Sequence, residues 1–551
     1  MLSAQEGQLA KAAAHFGHDD RLGLYLVRAT TAELAAGPAE IRLPSDTLRV
    51  LGDPSALRHR DFYRARTSAG DTVRLAFTPL PLIKLRAPVG LSTTFRRSVT
   101  LTYADDERAL DLQATARYRG GFTTRYPKKS IDLEFHEDGE PGTNRDVRFG
   151  ALRSDDDWIL DALYNEPLRV NAYVAHKVWL DMARLPYAGE EPRARAGADG
   201  EFAELFFNGR YHGLFLLSEQ VDRKQLQLKK EKEGRTRGVL FQTSQYSEQT
   251  RFTGPLAPIT EDSVEHQGYE LKYPHDSVGH AAWNDLRTVI DLVVSGSDAD
   301  LALGAARAFD LDQLADYLLY VNALRLTDNV SKNTFLARYS ANAPFFLVPW
   351  DLDASLGNGH NGKRLTSAEG WSSNGLFQRL TQVDVRGFAA KLCDRYEALR
   401  RGPLSPESLA LRVEEAHQQL TTTGAYARER LVWAAKLDDS AESLAFTTDF
   451  LRRRADFVLQ DVCKTSGVGE PALAGRAALG VFPNPVAVDG TVTLTGVPAG
   501  AREGVVYDLL GRPVLRFVVR GGGEQRVALR GLPGGSYVVR VGGMVGWVYI
   551  H

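Results

Sequence analysis

The stretch Pro349-Trp350-Asp351-Leu352-Asp353-Ala354-Ser355-Leu356-Gly357 lies a short way after Asp328-Asn329-Val330-Ser331-Lys332-Asn333 in this chain of 551 residues. Between the two stretches, residues 334–339 and 344–349 are mostly apolar and predict two strands joined by the polar turn Ser340-Ala341-Asn342. Such a hairpin would bring Asn333 and Asp351 side by side at its open end.

An Asp, four residues, an Asn and then an Asp beyond an apolar strand is the arrangement that protein kinases use around ATP. It places one catalytic carboxylate and two Mg²⁺-binding oxygens. We therefore predict Asp328 as the group that accepts the acceptor-hydroxyl proton, and Asn333 and Asp351 as metal ligands. The alternative is an Asp that caps a turn and a packed Trp-Asp corner. The first interpretation makes the chain a candidate phosphotransferase.

A second group of residues lies upstream, in Arg119-Gly120-Gly121 and in Lys128-Lys129 before the alternating run Ser130-Ile131-Asp132-Leu133-Glu134-Phe135. Gly120 and Gly121 would let backbone N–H groups approach phosphate, and a Lys at a strand start can reach phosphate oxygens. Lys129 shares a face with the apolar residues of the strand, so we predict Lys129 as the buried lysine facing ATP. Lys128 on the polar face stays the alternative, as does a solvated lysine pair.

The next signal is a hairpin at Asn208-Gly209 between apolar runs. Its second strand runs into Glu219, where a kinase-like fold would place the connection between its lobes. We predict nucleotide contacts at Glu219 and Val221, together with Lys128, Lys129 and the loop residues Arg119, Gly120 and Gly121.

These motifs occur in an order that resembles the CotH (spore coat protein H) kinase family over roughly residues 80 to 460. The motifs are Arg-Gly-Gly with Pro127-Lys128-Lys129, Asp157-Trp158-Ile159-Leu160 with Leu168-Arg169, residues 208–219, residues 270–274, and the two stretches quoted first. The resemblance implies an atypical protein-kinase fold that phosphorylates Ser/Thr-containing proteins with ATP and a divalent metal. It implies the catalytic-loop role for Asp328, metal ligation for Asn333 and Asp351, and the nucleotide lysine at Lys129 or Lys128.

Two departures from the family pattern stand out. The family's Arg-Gly-Asn-Ser-Ser loop is replaced here after Gly120 by Gly121-Phe122-Thr123-Thr124, and Leu326-Thr327 stands where ordinary kinases have His-Arg. The altered loop motivates one alternative, an enzyme that transfers AMP. A second alternative is a catalytically inactive surface binding protein.

The C-terminal residues 479–551 change to short alternating runs between Gly and Pro turns, which predicts an Ig-like β-sandwich. Pro483-Asn484-Pro485, residues 507–512 and residues 534–539 resemble the type A sorting domain of the type IX secretion system. The resemblance implies export to the surface of a Gram-negative bacterium and contact with that machinery. A generic accessory domain is the alternative. Met1 to Glu6 is not a signal peptide, so we expect a natural leader that was removed or lies outside this sequence.

Composition excludes other classes. A net charge of −2 argues against a nucleic-acid surface, and no apolar run of about eighteen residues predicts a membrane span. For the two cysteines, Cys393 and Cys463, a pair of buried thiols is favoured over a disulfide.

We predict an α+β chain with an atypical protein-kinase-like two-lobe fold and a C-terminal Ig-like β-sandwich. The predicted parts are a β-rich accessory segment (1–78), a CotH-like kinase domain (79–463), a linker (464–478) and the sorting domain (479–551). Residues 281–325 and 376–462 are predicted to be helical. We expect a secreted or surface monomer that uses ATP with Mg²⁺ or Mn²⁺ on a protein substrate.

Overall fold

A computed structural model describes residues 7–137, 142–259, 263–274, 279–464, 479–497, 500, 503–508, 512–520, 522–541 and 544–550. The chain divides into two compact units, residues 1–466 and 467–551. The predicted linker 464–478 lies outside the described residues except for its first residue. The mixed α+β class is confirmed.

The first unit begins with a seven-stranded sheet, which we call the N-terminal sheet. Its strand order is β1-β4-β5-β6-β7-β3-β2, and the predicted β-rich character of residues 1–78 is confirmed. The strands are β1 (Gln8–Ala10), β2 (Phe16–Asp19), β3 (Leu24–Arg28), β4 (Glu40–Leu43), β5 (Asp46–Leu51), β6 (Phe62–Arg66) and β7 (Thr72–Thr78), with the short helix α1 (Thr31–Ala35).

A closed seven-stranded barrel follows, in the order β10-β11-β14-β16-β15-β8-β9. Ile131, Leu133 and Phe135 of one strand point into the barrel core, as their period-two spacing requires. The strands are β8 (Leu82–Arg86), β9 (Arg97–Ala104), β10 (Ala109–Arg119), β11 (Ser130–His136), β14 (Asp157–Asp161), β15 (Gly200–Phe207) and β16 (Arg210–Glu219), with a separate ribbon of β12 (Val147–Arg148) and β13 (Ser154–Asp155).

The hairpin predicted at Asn208-Gly209 is confirmed between β15 and β16. Asn208 and Gly209 have φ of 50° and 75°, and two consecutive positive φ values are what a tight hairpin turn of this kind needs.

The second hairpin, predicted between Asn333 and Asp351, is confirmed as β20 and β21, paired from Thr334 with Pro349 to Arg338 with Phe345. It forms one edge of a five-stranded sheet in the order β18-β19-β17-β20-β21. The strands are β17 (Val239–Thr243), β18 (Glu265–His266), β19 (Tyr269–Tyr273), β20 (Thr334–Arg338) and β21 (Phe345–Pro349).

Helices pack around this sheet, and the predicted helical regions are confirmed in the described residues. In helix α5 (Leu311–Ala323) every residue except Asp312 is buried, including the polar Gln313 and Asp316, so this helix is enclosed by other elements. The helices are α2 (Asn171–Met182), α3 (Gly279–Val294), α4 (Asp298–Ala308), α5 (Leu311–Ala323), α6 (Gly375–Gln382), α7 (Phe388–Leu399), α8 (Pro406–Thr422), α9 (Ala425–Trp433) and α10 (Ala441–Lys464). Across the described residues, every helix is too short or too polar to cross a membrane.

A disulfide joins Cys393 of α7 to Cys463 of α10, with their Cα atoms 4.9 Å apart. The prediction of two free thiols is therefore wrong. The sequence places the cysteines 70 positions apart, and only the packing of α7 against α10 brings them together.

The second unit consists of two antiparallel sheets, β22-β23-β26 and β25-β24-β27-β28. Both contribute to one apolar core that includes Val492, Leu494, Val506 and Val539. The strands are β22 (Gly480–Phe482), β23 (Thr491–Val497), β24 (Glu503–Tyr507), β25 (Pro513–Val518), β26 (Gly523–Ala528), β27 (Gly535–Val541) and β28 (Met544–Ile550). Its assignment as an Ig-like sorting domain stays a prediction.

A chain that ends at Lys464 should keep the melting temperature of the first unit, because the apolar core of the second unit contains only residues of that unit. Thermal unfolding followed by circular dichroism measures this. A chain that ends at Asp461 is the control, since it also lacks Cys463 and should melt several degrees lower. A collapse of the longer chain would show that our domain boundary is misplaced.

Candidate active site

The open end of the β20–β21 hairpin holds Asn333 and Asp351 next to each other. The Trp350 N–H donates to the Asn333 carbonyl at 3.0 Å, and the buried Asn329 amide donates to the carbonyls of Asn333 and Trp350 at 2.9 and 2.7 Å. Both Asn333 and Asp351 have positive φ, 55° and 56°. Strained backbone of this kind persists where surrounding contacts over-determine it and is common at functional sites.

Asp328 lies at the same end of the sheet, in the turn that follows α5. The Asp328 carbonyl accepts a hydrogen bond from the Lys332 N–H at 3.0 Å. The Asp328 carboxylate accepts a hydrogen bond from the Tyr246 hydroxyl. Burial and the Asp328 carboxylate together raise the pKa of Tyr246. The charge of Asp328 also raises the pKa of Asp351, so the structure brings the predicted base and the predicted metal ligand into one electrostatic environment.

A pocket joins this hairpin end to the barrel. It is bordered by the loop between β10 and β11, by the segment after β14, and by the segment after β21. Its lining residues are Arg119, Gly120, Thr123, Tyr126, Lys128, Ser130, Asp161, Ala162, Leu163, Tyr164, Asn165, Glu166, Asp351 and Asp353. Four of them are acidic, and two are basic.

The acidic residues repel one another across this pocket. Part of the Asp351 residue is exposed, but its carboxyl is surrounded by protein, and this burial raises the pKa of Asp351. The positive charge of Arg119 opposes this shift, and the negative charge of Asp161 adds to it. Burial and the charge of Asp351 raise the pKa of Asp353 well above its usual range. The Asn165 amide donates to the Asp353 carboxylate at 2.6 Å. Such crowding of carboxylates favours a bound cation.

The lining fits a divalent cation such as Mg²⁺, because Asp351 and Asp353 offer hard carboxylate oxygens. Asn333, which lies at the same hairpin end but outside the described lining, carries another hard oxygen in its side-chain amide. In the described part of the chain, three carboxylates come within 4.8 Å of one another at Asp146, Asp155 and Asp156, which lie outside this pocket. Taken in threes, the carboxylates of the pocket are spaced more widely. An ion in this pocket would therefore take part of its coordination from phosphate oxygens, as Mg²⁺ does in kinase sites.

The buried lysine of the pocket is Lys128, and the prediction of Lys129 is wrong on this point. Lys128 is 1% exposed, whereas Lys129 is half-buried and its ammonium contacts the Tyr126 carbonyl of its own loop. Apolar and polar side chains do alternate along β11, but its apolar face, on the side of Lys129, fills the barrel. The pocket lies against the opposite face, beside Ser130.

The CotH kinase protein family model matches residues 116–458, more than half of the chain. This chain belongs to the CotH kinase family. A comparison with curated proteins gave no match. The matched range contains Asp328, Asn333, Asp351 and Lys128, whereas the N-terminal sheet lies before it.

One residue that the sequence did not point to completes this CotH kinase site. Glu429 of α9 is fully buried, and its carboxylate pairs with the Lys128 ammonium at 2.8 Å and with Arg169 Nε at 3.1 Å. Glu429 follows Lys128 by 301 positions, and no local motif marks it. Two other acidic residues of the pocket could have been found from the sequence. Asp353 belongs to the Pro349–Gly357 stretch, and Asp161 directly follows the Asp157–Leu160 motif.

Burial lowers the pKa of Lys128 to about 8; the charge of Glu429 opposes this shift and that of Arg169 adds to it. The ammonium is also 4.6 Å from the centre of the Phe215 ring and donates to the Leu214 carbonyl. Lys128 is thus held in one position, with its charge sensitive to pH above neutrality.

The loop between β10 and β11 requires glycine at position 120. Gly120 has a φ of 109°, and a Cβ there would lie 2.1 Å from Thr123 Oγ1, so only glycine fits. Arg119 lies over the Trp350 ring at 5.2 Å. Gly121 is exposed and is absent from the described lining of the pocket.

Glu219 and Val221 are also absent from the described lining of this pocket. The Glu219 carboxylate accepts N–H groups from Arg153, Arg195, Asp199 and Gln225 at 2.8 to 3.1 Å. Val221 packs in an apolar cluster with Ile159 and Trp350. Glu219 does end the barrel strand β16, after which the chain passes to the five-stranded sheet.

Replacing Lys128 with Met should reduce the affinity for ATP·Mg²⁺ by about tenfold or more, because a charged hydrogen bond to phosphate is lost. Arg169 remains to pair with Glu429, which limits the damage to folding. Isothermal titration calorimetry measures the affinity. Lys129→Met is the matched control and should bind within about twofold of wild type; equal losses in both variants would contradict the assignment of Lys128.

The pKa of Lys128 also predicts a pH dependence. A lysine carries its full charge only well below its pKa, so affinity for ATP·Mg²⁺ should be constant well below pH 8 and decline as the pH rises through about 8. Nucleotide titrations between neutral and mildly alkaline pH measure this decline. Lys128→Arg, which stays charged over this range, should bind with a flat profile. A wild-type profile as flat as that of the Arg variant would overturn this prediction.

Proposed function

We propose that this chain is an atypical protein kinase that transfers the ATP γ-phosphate to Ser or Thr hydroxyls of a protein substrate, with Mg²⁺ or Mn²⁺. The observation that carries the proposal is that Asp351 and Lys128 line one pocket at the open end of the β20–β21 hairpin. Asn333 and Asp328 lie outside the described lining of that pocket, but Asn333 adjoins the Trp350-Asp351 pair and the charge of Asp328 reaches Asp351. Membership of the CotH kinase family supports it independently.

The acidic and basic residues of the site would have different roles. Asp351 and Asn333, with Asp353 beside them, would hold the divalent ion, and a bound ion would neutralise part of the triphosphate charge. Lys128 and Arg119 supply the positive side chains of the same pocket. Because Glu429 and the Leu214 carbonyl both hold Lys128, its ammonium requires little rearrangement to meet a phosphate oxygen.

Asp328 would orient the acceptor hydroxyl and accept its proton. Its carboxylate already interacts with the Tyr246 hydroxyl, so its position is compatible with accepting a hydrogen bond from a Ser or Thr hydroxyl. Tyr246 would then have to give way when a substrate binds, and its partly exposed side chain has the freedom to do so.

We further propose that the protein acts outside the cytoplasm of a Gram-negative bacterium, secreted or on the cell surface, with the second unit as a type IX sorting domain. The Cys393–Cys463 disulfide supports an oxidising compartment. The separate core of the second unit supports a domain that can be recognised on its own. Fractionation of cells that produce the full chain, or the chain ending at Lys464, tests this location.

The enzymatic proposal is tested by incubation with γ-labelled ATP and Mg²⁺ or Mn²⁺, followed by detection of labelled protein. In Asp328→Asn, turnover should fall by about a hundredfold or more while ATP affinity changes little, because the base is lost and the metal ligands stay. In Asp351→Asn, metal-dependent ATP binding itself should be lost. Asp20→Asn, which changes a solvent-exposed acid, is the control.

Three results would contradict this proposal in different ways. Equal losses of affinity in both active-site variants would move Asp328 into the metal-binding set. Intact-mass analysis that finds AMP on the acceptor would replace phosphoryl transfer by AMP transfer. Absence of any metal-dependent ATP binding by the wild-type chain would leave a surface binding protein.

A further inference from the structure

Helix α9 carries two adjacent buried charges, Arg428 and Glu429, which are at most 1% exposed. Adjacent residues of an α-helix point about 100° apart, so the two side chains meet different neighbours. Buried charges are tolerated only with good partners, and losing one partner is costly. Each of these side chains therefore ties α9 to the element that it contacts.

Glu429 ties α9 to the candidate active site. Besides pairing with Lys128 and Arg169, it accepts the Leu214 N–H of β16 at 2.8 Å. Gly213 makes this approach possible, because its φ is 95° and a Cβ there would lie 2.2 Å from Glu429 Oε2. The position of Lys128 thus depends on where α9 lies.

Arg428 ties α9 to the N-terminal sheet. Its guanidinium donates to the carbonyls of His59 and Phe77 at 3.1 Å each. It also binds both carboxylate oxygens of Glu204, in β15 of the barrel, at 2.6 and 2.9 Å. The Thr423 carbonyl accepts its last N–H at 2.7 Å, so all five donors are used. Phe77 belongs to β7, and His59 precedes β6.

A second feature of the same junction is Gly424, the residue before α9, which also leaves room for Arg428, since a Cβ there would lie 2.7 Å from Arg428 Nη1. Its φ is 71°, and a Cβ there would lie 2.5 Å from the His59 carbonyl oxygen and 2.8 Å from Arg60 Cα. The chain before β6 therefore approaches the start of α9 as closely as backbone allows. Glycine is required here both for conformation and for space.

We propose that the N-terminal sheet, which lies outside the family match, is a positioning element of the phosphotransfer site. It fixes α9 through Arg428 and Gly424, and α9 fixes Lys128 through Glu429. Arg428, Glu204 and Gly424 are positioning residues, since none of them lines the pocket. This inference rests on the proposed function for its effect on ATP, whereas the link from the sheet to Lys128 can be measured without ATP.

The test compares two glycine-to-alanine variants of the full chain. Gly424→Ala forces Cβ against the N-terminal sheet. Gly387→Ala is the matched control, because Gly387 precedes α7 with a φ of 70° and a Cβ there would meet nothing within 4 Å. Both variants carry the same backbone strain, so only an effect beyond that of Gly387→Ala reports on the junction.

Two measurements are made on each protein. The first is acetylation of Lys128 by acetic anhydride, followed by mass spectrometry with Lys129 as the internal reference. We expect Lys128 to be protected in the wild type and in Gly387→Ala, and to react at least about threefold faster in Gly424→Ala. The second is ATP·Mg²⁺ affinity, which should fall at least about fivefold in Gly424→Ala alone.

Equal Lys128 reactivity in the two variants would overturn the inference. If Gly424→Ala does not fold, Arg428→Lys gives the same comparison, since lysine keeps the charge but cannot reach Glu204 and both carbonyls together. Its control is Arg454→Lys, another buried arginine that donates to backbone carbonyls, at Asn322, Ala368 and Gly370. A wild-type chain that binds no ATP·Mg²⁺ would overturn the proposed function, and the acetylation rates would still decide the coupling.

Discussion

The buried carboxylate of Glu429 is the constraint on which the arrangement of the site depends. One side chain satisfies the Lys128 ammonium, the Arg169 guanidinium and the Leu214 N–H, none of which has access to bulk water. Removing it would leave two positive charges buried beside each other, which is far costlier than losing a surface ion pair. Lys128 can therefore face the pocket only after four elements pack together: the barrel strands β11 and β16, the turn before α2, and the helix α9.

The acidic side of the site depends on a different device, the open end of a β-hairpin. Hydrogen bonds from the Asn329 amide fix the carbonyls of Asn333 and Trp350, and the Trp350 ring packs in an apolar cluster beneath. These contacts compensate for positive φ at both Asn333 and Asp351. The barrel thus contributes the positive charges of the pocket, Arg119 and Lys128, and the acidic residues come from both sides, with Asp161 and Glu166 in or after β14 and Asp351 and Asp353 after β21.

The N-terminal sheet precedes the family match but contacts a helix within it. The family match begins at residue 116, within β10, although the barrel already begins at β8. Arg428 of α9 donates two of its five N–H groups to this N-terminal region, at the carbonyls of His59 and Phe77. Its other donors bind Glu204 of the barrel and the Thr423 carbonyl.

The sequence by itself determined the local structure and the hairpin end that carries Asn333 and Asp351. Period-two alternation, the Asn208-Gly209 turn and the Asp328, Asn333 and Asp351 spacing each depend on neighbouring residues, so the two hairpins and their polar ends were predictable. Tertiary structure decided the rest. Alternation shows that Lys128 and Lys129 face opposite ways, but only closure of the barrel determines that the apolar side is the interior and the Lys128 side borders the pocket. Glu429 and the Cys393–Cys463 disulfide likewise depend on packing between residues far apart in the chain, which no local pattern encodes.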